Sequence, residues 1–239
     1  MKKEKRESKL NKNRTSEITV NITVFGFDKN DGIKVCLIRR LKEPFLGYWT
    51  LPGGFLNEGE TLLDGAAREL EYDTGITNLK LEQHKAFEYM VDNKCHIAIS
   101  FYGLINIQNQ ELISAVKEKN ANWFPIKDLP KIAFNQNEIV SNVFDSMRLR
   151  TTIEPLFKDL LPNTFTLPEA QKVLESIFDC TFDQSNFRKK IINSRIFVKQ
   201  EGKKRGLPID LQICINSLRK VLLRAWDTSF LATQVSLER

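Results

Sequence analysis

Apolar and polar positions alternate through Glu17–Phe27 and again through Ile33–Arg40, which predicts two strands joined by a turn at Asp28–Gly32. Leu81–Tyr89 and Cys95–Ile107 carry the same period and extend the expectation to a mixed sheet. From about Gln136 the period lengthens. Ile139, Val140, Val143, Phe144 and Met147 recur at helical spacing, so the pattern predicts one long helix leading out of the first domain. Pro155 and Pro162 then bracket a connection containing Leu156, Phe157, Leu160 and Leu161. So apolar a stretch is no free linker, and it is expected to pack against a domain or a second subunit.

The chain beyond the connection reads as a separate unit. Thr166-Leu-Pro-Glu169 has the composition of a capping box, with Thr166 accepting from the third helical amide and Glu169 reaching back. Pro168 costs little there, because first-turn amides have no partner within the helix. Leu167, Ala170, Leu174, Ile177 and Phe178 form one stripe, and after a break at Asp179–Phe182, Asp183 is a candidate N-cap for a helix through about Asn193. On that second helix Phe187 and Ile191 share the inner side, while Ser185, Asn186, Arg188, Lys189 and Lys190 occupy the remainder. Ile196–Lys199 and Leu207–Leu211 then predict two strands around the tip Gln200–Gly206, which bears Lys203, Lys204 and Arg205. Helix, turn, helix and basic hairpin, in that order, outline a winged helix-turn-helix. In such a unit the second helix enters the DNA major groove and the wing meets the backbone or the minor groove.

Charge supports that outline. The net charge of +6 conceals an uneven distribution: residues 183–206 hold eight basic groups against Asp183 and Glu201, and the first 16 residues hold seven against Glu4 and Glu7. The remainder of the chain is acidic. Positive charge gathered in one segment of an otherwise acidic protein points to a polyanion partner. Residues 1–15 read as a basic flexible tail with no apolar segment behind it of signal-peptide type, and no apolar run reaches membrane-spanning length. Cys36, Cys95, Cys180 and Cys214 are widely spaced, with only His84 and His96 as companions, which excludes the usual zinc and disulfide patterns and suits a cytoplasmic protein. His96, in a strand-like run, is expected to serve packing. Leu218, Val221, Leu222, Ala225 and Trp226 predict a further C-terminal helix.

The densest chemistry lies at residues 49–76. Trp49-x-Leu51-Pro52-Gly53-Gly54 is followed by Glu60, then by Arg68-Glu69-Leu70, then by Gly75-Ile76. Glu69, Tyr72 and Asp73 stand at i, i+3 and i+4, so a helix projects all three from one face. Carboxylates crowded there repel one another, and a hard cation with oxygen ligands is the usual reason to tolerate that. Such a cation would polarise a phosphoryl oxygen and help generate hydroxide. Here a tyrosine interrupts the acidic face.

This string resembles the Nudix box, which builds a loop, helix and loop whose carboxylates hold Mg²⁺ against a diphosphate. Residues 121–130 (ANWFPIKDLP) resemble the segment that closes such a domain. The resemblance implies an α/β/α sandwich with a mixed sheet at 16–135, a linker helix at 136–152 and an α+β winged helix-turn-helix domain at 153–239. Glu60 and Arg68 would tie the loop to the helix. With Tyr72 in place of a carboxylate, only Glu69 and Asp73 remain for a single Mg²⁺, and hydrolysis is expected to be weak or absent.

Fusion of the two domains resembles the Nudix-related transcriptional regulators, through F-K-D-L-L-P-N-T-F-T-L-P-E (157–169), N-F-R-K-K (186–190) and R-G-L-P (205–208). That family implies a homodimer on a palindromic operator, released by ADP-ribose or another phosphorylated effector. Arg40, Phe45, Trp49, Gly53 and Gly54 would border the effector. The segment 88–94 (EYMVDNK) departs from the Arg-Asp-Pro motif of close relatives, which bears on the effector's identity. Two alternatives stay open: a Nudix hydrolase of ADP-ribose or a related nucleoside diphosphate, and a nonspecific nucleic-acid-binding protein.

Overall fold

The computed structural model describes residues 17–91, 94–108, 112–113, 120–163 and 165–193. The expected basic tail, the wing strands with Lys203, Lys204 and Arg205, Cys214 and the stripe Leu218–Trp226 lie outside the described residues, as does the side chain of Lys190.

The first half is a mixed sheet of seven strands: β1 (Glu17–Asp28), β2 (Gly32–Arg39), β3 (Trp49–Thr50), β4 (Gly53–Phe55), β5 (Glu82–Val91), β6 (Lys94–Leu104) and β7 (Ala121–Pro125). The order is β3-β2-β1-β6-β5, with β4 added to β1 and β7 to β2. Among the described strand pairs, β1/β6 is the parallel one, with Ile22 opposite Phe101. The strand expectations hold to within a few residues at their ends. They hold because β1 and β2 bury Ile22, Val24, Phe25, Val35 and Leu37 on both faces of the sheet.

One face is covered by α1 (Leu62–Thr74), whose Ala66 and Leu70 pack with Val20, Ile22, Val24 and Cys36. The Thr61 side chain caps its first turn by accepting from the Asp64 amide, and Gly75 ends it by donating to the Glu71 carbonyl. Burial against this face, with the Asp73 charge nearby, pushes the Cys36 thiol well above its ordinary value. The thiol is inert packing.

The other face carries α2 (Gln136–Thr151), the turn of 3-10 helix Leu156–Leu160, and α3 (Leu167–Phe178). Here the structure differs from the sequence reading. Ile139, Val140, Val143, Phe144 and Met147 are indeed one stripe, but α2 does not lead away: the stripe is buried in the same cluster as Phe25 and Leu37 of the sheet and Leu174 and Phe178 of α3. Helical spacing reports an apolar face, and that face is shared between the sheet and α3, which builds α2 into one core with both. The connector residues Leu156, Phe157, Leu160 and Leu161 join this cluster too, so they pack against their own chain.

α3 begins with the full capping box: Thr166 Oγ1 accepts from the Glu169 amide, and the Glu169 carboxylate accepts from the Thr166 N–H at 2.8 Å. After the break, the Asp183 carboxylate accepts from the Asn186 amide at 2.8 Å and opens α4 (Gln184–Asn193). Phe182 stacks on Phe187 at 5.4 Å, and the Phe182 amide donates to Glu175 at 2.8 Å. The two helices are thereby locked together.

Candidate functional site

Two regions bear the expected chemistry. The first starts at β4, where Gly53 lies so close to the backbone of β1 that no other residue fits, and Gly54 lies close against the end of the Glu69 side chain. A Cβ on Gly53 would lie 2.1 Å from the Val20 carbonyl oxygen, and one on Gly54 would lie 2.6 Å from the Glu69 carboxylate. Glu69 therefore faces the loop backbone directly.

Arg68 binds the loop to the helix. Its guanidinium donates to both Glu60 oxygens at 2.7 and 2.8 Å, to Glu69 at 2.6 Å and to the Phe55 carbonyl at 3.0 Å. The Arg68 hydrogen bonds, with the Asn57 amide, lower the Glu60 carboxyl from 4.5 to about 2, while the same contacts raise Arg68. A depressed folded-state value means that this tie stabilises the fold fully above about pH 4.5 and loses its contribution as pH falls through about 2. The difference in melting temperature between the native chain and Arg68→Ala is therefore expected to shrink across that interval; a constant difference would contradict it.

Asp73 is fully buried, and its Oδ2 accepts the Gly53 amide at 3.0 Å. It acts as a strut under the glycine loop, a task for which its short side chain is suited. Tyr72 stands beside it, about half exposed. Among the described residues no three His, Cys, Asp or Glu side chains converge as a cation's ligands. With Asp73 accepting from the Gly53 amide and a phenol in the second position, this donor set does not fit Mg²⁺ coordination.

A second part of the site was not legible in the motif. The Arg40 guanidinium lies 4.6 Å above the Phe134 ring, and Phe45 meets Phe134 edge-on at 4.9 Å. Tyr89 contacts the same ring at 5.6 Å and Tyr48 packs on Phe45 at 5.7 Å. The Tyr89 hydroxyl reaches Thr19 Oγ1 at 3.3 Å, and Thr19 pairs with Phe55 of β4. This linkage sets the aromatic cluster beside the glycine loop. Burial lowers the Arg40 pKa. Phe134 and Asn135 both have φ of 56°, a conformation that costs a non-glycine residue free energy and that clusters at binding sites. Phe134 and Tyr89 were missed because neither belongs to a recognisable spacing. The one sequence signal was the aromatic at 134 between a Leu-Pro segment and a helix start.

Trp49 is placed differently from Phe45. It is half buried at the edge of the main core, 4.6 Å from Phe124 and under the Arg39 guanidinium at 5.0 Å. His96 is buried and stacks on Tyr89 at 5.3 Å, a packing role as expected. A cleft of about 570 Å³ lies elsewhere, between the end of β6 and the connector at Leu156–Asn163. Its charged wall is already engaged: Glu82 accepts from Lys80, Arg150 and Tyr102, and although burial alone would raise its carboxyl, these bonds take it down to about 2.

The second region is α4. Phe187 is buried against the domain, while Ser185, Asn186, Arg188 and Lys189 are exposed together. The helix thus presents Ser185, Asn186, Arg188 and Lys189 to solvent.

Comparison with known proteins agrees with both regions. Residues 17–143 match the NUDIX domain family, and residues 158–207 match the NrtR DNA-binding winged helix domain. The "ADPR responsive transcriptional repressor NtrR" of Acinetobacter baylyi is 27% identical over 194 residues, covering 78% of this chain and 76% of that protein. An "ADP-ribose pyrophosphatase" of Methanocaldococcus jannaschii is 32% identical over 122 residues, covering 51% of this chain and 71% of that one. The fold matches Shewanella oneidensis NrtR crystallised with a 27mer DNA, with a TM-score of 0.67 at 23% identity over 85% of this chain and 95% of the other. The chain belongs to the Nudix family and carries, behind its Nudix domain, a winged helix of the NrtR DNA-binding type.

Proposed function

We propose that this protein is a transcriptional repressor whose Nudix domain binds ADP-ribose, or a related phosphorylated nucleotide, and thereby releases DNA held by the winged helix. The observation that carries the reading is the conjunction in one chain of a Nudix helix with a disrupted acidic face and an exposed basic helix of the NrtR type. The Acinetobacter relative, named for its response to ADP-ribose, supports the choice of effector. In this reading Arg40, Phe45 and Phe134 offer a nucleobase a flat aromatic and cationic surface. The close backbone at Gly53 and Gly54 lets the diphosphate approach.

A pair of chains on a palindromic operator follows from the same reading. Their recognition helices would sit about 34–36 Å apart, one turn of the duplex. Such a repressor works in the cytoplasm, and no helix among the described residues is long and apolar enough to cross a membrane.

Footprinting on the DNA upstream of the protein's own gene tests this directly. Protection is expected without ADP-ribose and lost with it, and Phe134→Ala should raise the ADP-ribose concentration required by about tenfold, the loss of one ring contact. Protection indifferent to ADP-ribose would reject the effector. Equal affinity for operator and random duplex would instead mark a nonspecific binder.

The second reading, a hydrolase, is favoured by Glu69 beside the glycine loop and by identity to the Methanocaldococcus enzyme. It predicts release of phosphate products with Mg²⁺ at around 10 s⁻¹. The repressor reading predicts far slower turnover.

A further inference from the structure

α3 is held at one point by the far ends of two elements whose near ends build the aromatic site. β2 is the first. Its last residue, Arg39, pairs with Trp49, and Arg40 follows immediately over Phe134. At its other end the Ile33 amide donates to Ser176 Oγ of α3 at 2.9 Å, and Gly32 leaves no room for a side chain there: a Cβ would lie 2.5 Å from that oxygen. α2 is the second. It begins beside Phe134 with Gln136, whose Oε1 accepts from Thr50 Oγ1 and the Leu51 amide, both at 2.8 Å. Near its other end Arg148 Nε donates to the Ile177 carbonyl at 2.9 Å, while its guanidinium rests 4.8 Å from the Phe144 ring.

The two spans match. Ile33 to Arg39 in a strand covers about 20 Å, and Gln136 to Arg148 in a helix covers about 18 Å. Both elements are hydrogen-bonded throughout and packed in one core, so neither shortens under load. They deliver their ends to adjacent residues of α3, Ser176 and Ile177. From there the path to DNA is short, since Gln171 and Glu175 of α3 bind Phe182 and Phe182 stacks on Phe187 of α4.

Resting on the repressor reading above, we propose that Ser176 and Arg148 are positioning residues. They seat α3, and with it the DNA-facing helix α4, on the ends of β2 and α2, so that a shift of either element at the occupied aromatic site retilts the recognition helix. Neither side chain belongs to the aromatic site or to α4: Ser176 meets the Ile33 amide, and Arg148 meets the Ile177 carbonyl and the Phe144 ring. α3 stays attached when one central contact is removed because Ala170, Val173, Leu174 and Ile177 are buried in the shared core, while the exposed pairs Lys29–Glu169 and Lys127–Asp179 add little.

The test uses the full chain, ADP-ribose, and a duplex selected by the native protein from a random pool. DNA affinity is measured with and without saturating ADP-ribose, and ADP-ribose affinity with and without DNA. The two ratios must agree, because coupling is reciprocal. In Ser176→Ala and Arg148→Gln the ratio is expected to fall at least about fivefold, while DNA affinity without effector and effector affinity without DNA each change less than about threefold. Should Arg148→Gln fail to fold, Ser176→Ala, which deletes a single oxygen, decides alone. An undiminished ratio overturns the proposal, and so does a parallel loss of both separate affinities with a lowered melting temperature, which marks a purely structural role. A native protein indifferent to ADP-ribose sinks the repressor reading itself, and this inference with it. A responsive native protein with equally responsive variants sinks the inference alone.

Discussion

Replacing both Arg188 and Lys189 by alanine is expected to weaken operator binding about a hundredfold, roughly tenfold for each side chain lost from a groove or phosphate contact. Both side chains are exposed on α4 beside Ser185 and Asn186, while Phe187 anchors the helix from its buried side. Neither supports the fold, so circular dichroism and melting temperature should stay unchanged. The salt dependence separates the two roles open to each residue. Loss of a phosphate contact lowers the slope of log K against log salt by about 0.9, whereas loss of a base contact leaves the slope and relaxes sequence preference. Gel shifts across a salt series, on operator and on random duplex, distinguish them. The single variants Arg188→Ala and Lys189→Ala assign a role to each residue, and unchanged affinity and slope in the double variant would remove α4 from the DNA interface.

Leu174→Ala is expected to destabilise the whole molecule by about 3 kcal/mol, the usual cost of emptying a fully buried leucine site. Leu174 is fully buried in α3, within the cluster that also holds Phe25, Leu37, Val143 and Phe157. Because that cluster runs from the sheet through α2 and the connector into α3, the loss should be felt by the Nudix half as much as by the helix that carries it. Urea unfolding followed by helical circular dichroism and by tryptophan fluorescence should give coincident midpoints, both shifted downward. Trp49 and Trp123, in the sheet, supply the Nudix signal. A variant whose fluorescence midpoint stays fixed while its helix signal melts early would show that α3 sits loosely on the sheet. A repressor built that way could not transmit a strain of one part to the other.

Much of this architecture was legible from residues alone, for identifiable reasons. The strands β1 and β2, the α3 capping box and the Asp183 cap are local: each depends on a few side chains meeting backbone groups within one turn or one strand period. The Arg68 tie to Glu60 was legible too, through a long spacing that the resemblance explained, and the structure gives it two hydrogen bonds, with two more from Arg68 to Glu69 and the Phe55 carbonyl. The role of α2 was not. Its stripe announced an apolar face but carried no address, and part of the sheet face it meets, Phe25 to Leu37, lay more than a hundred positions earlier.

At the candidate site the division is sharper. Gly53, Gly54, Glu69 and Asp73 stood in a recognisable order, yet sequence treated Glu69 and Asp73 as equals. Only the fold separated them, by burying Asp73 under the Gly53 amide and leaving Glu69 against Gly54. Phe134 and Tyr89 entered the site without any motif, because an aromatic cluster assembled from β5, the Arg40–Tyr48 loop and the entry to α2 has no constant spacing along the chain.

What the amino-acid order settled unaided was therefore the periodic and the adjacent: strands, caps, a basic helix and a Nudix helix with its acidic face interrupted at Tyr72. Tertiary structure alone decided which apolar faces meet, which carboxylate is withdrawn from solvent, and that β2 and α2 both end on α3. Those outcomes depend on contacts between distant segments, whose free energy appears only after the chain has closed the loops between them.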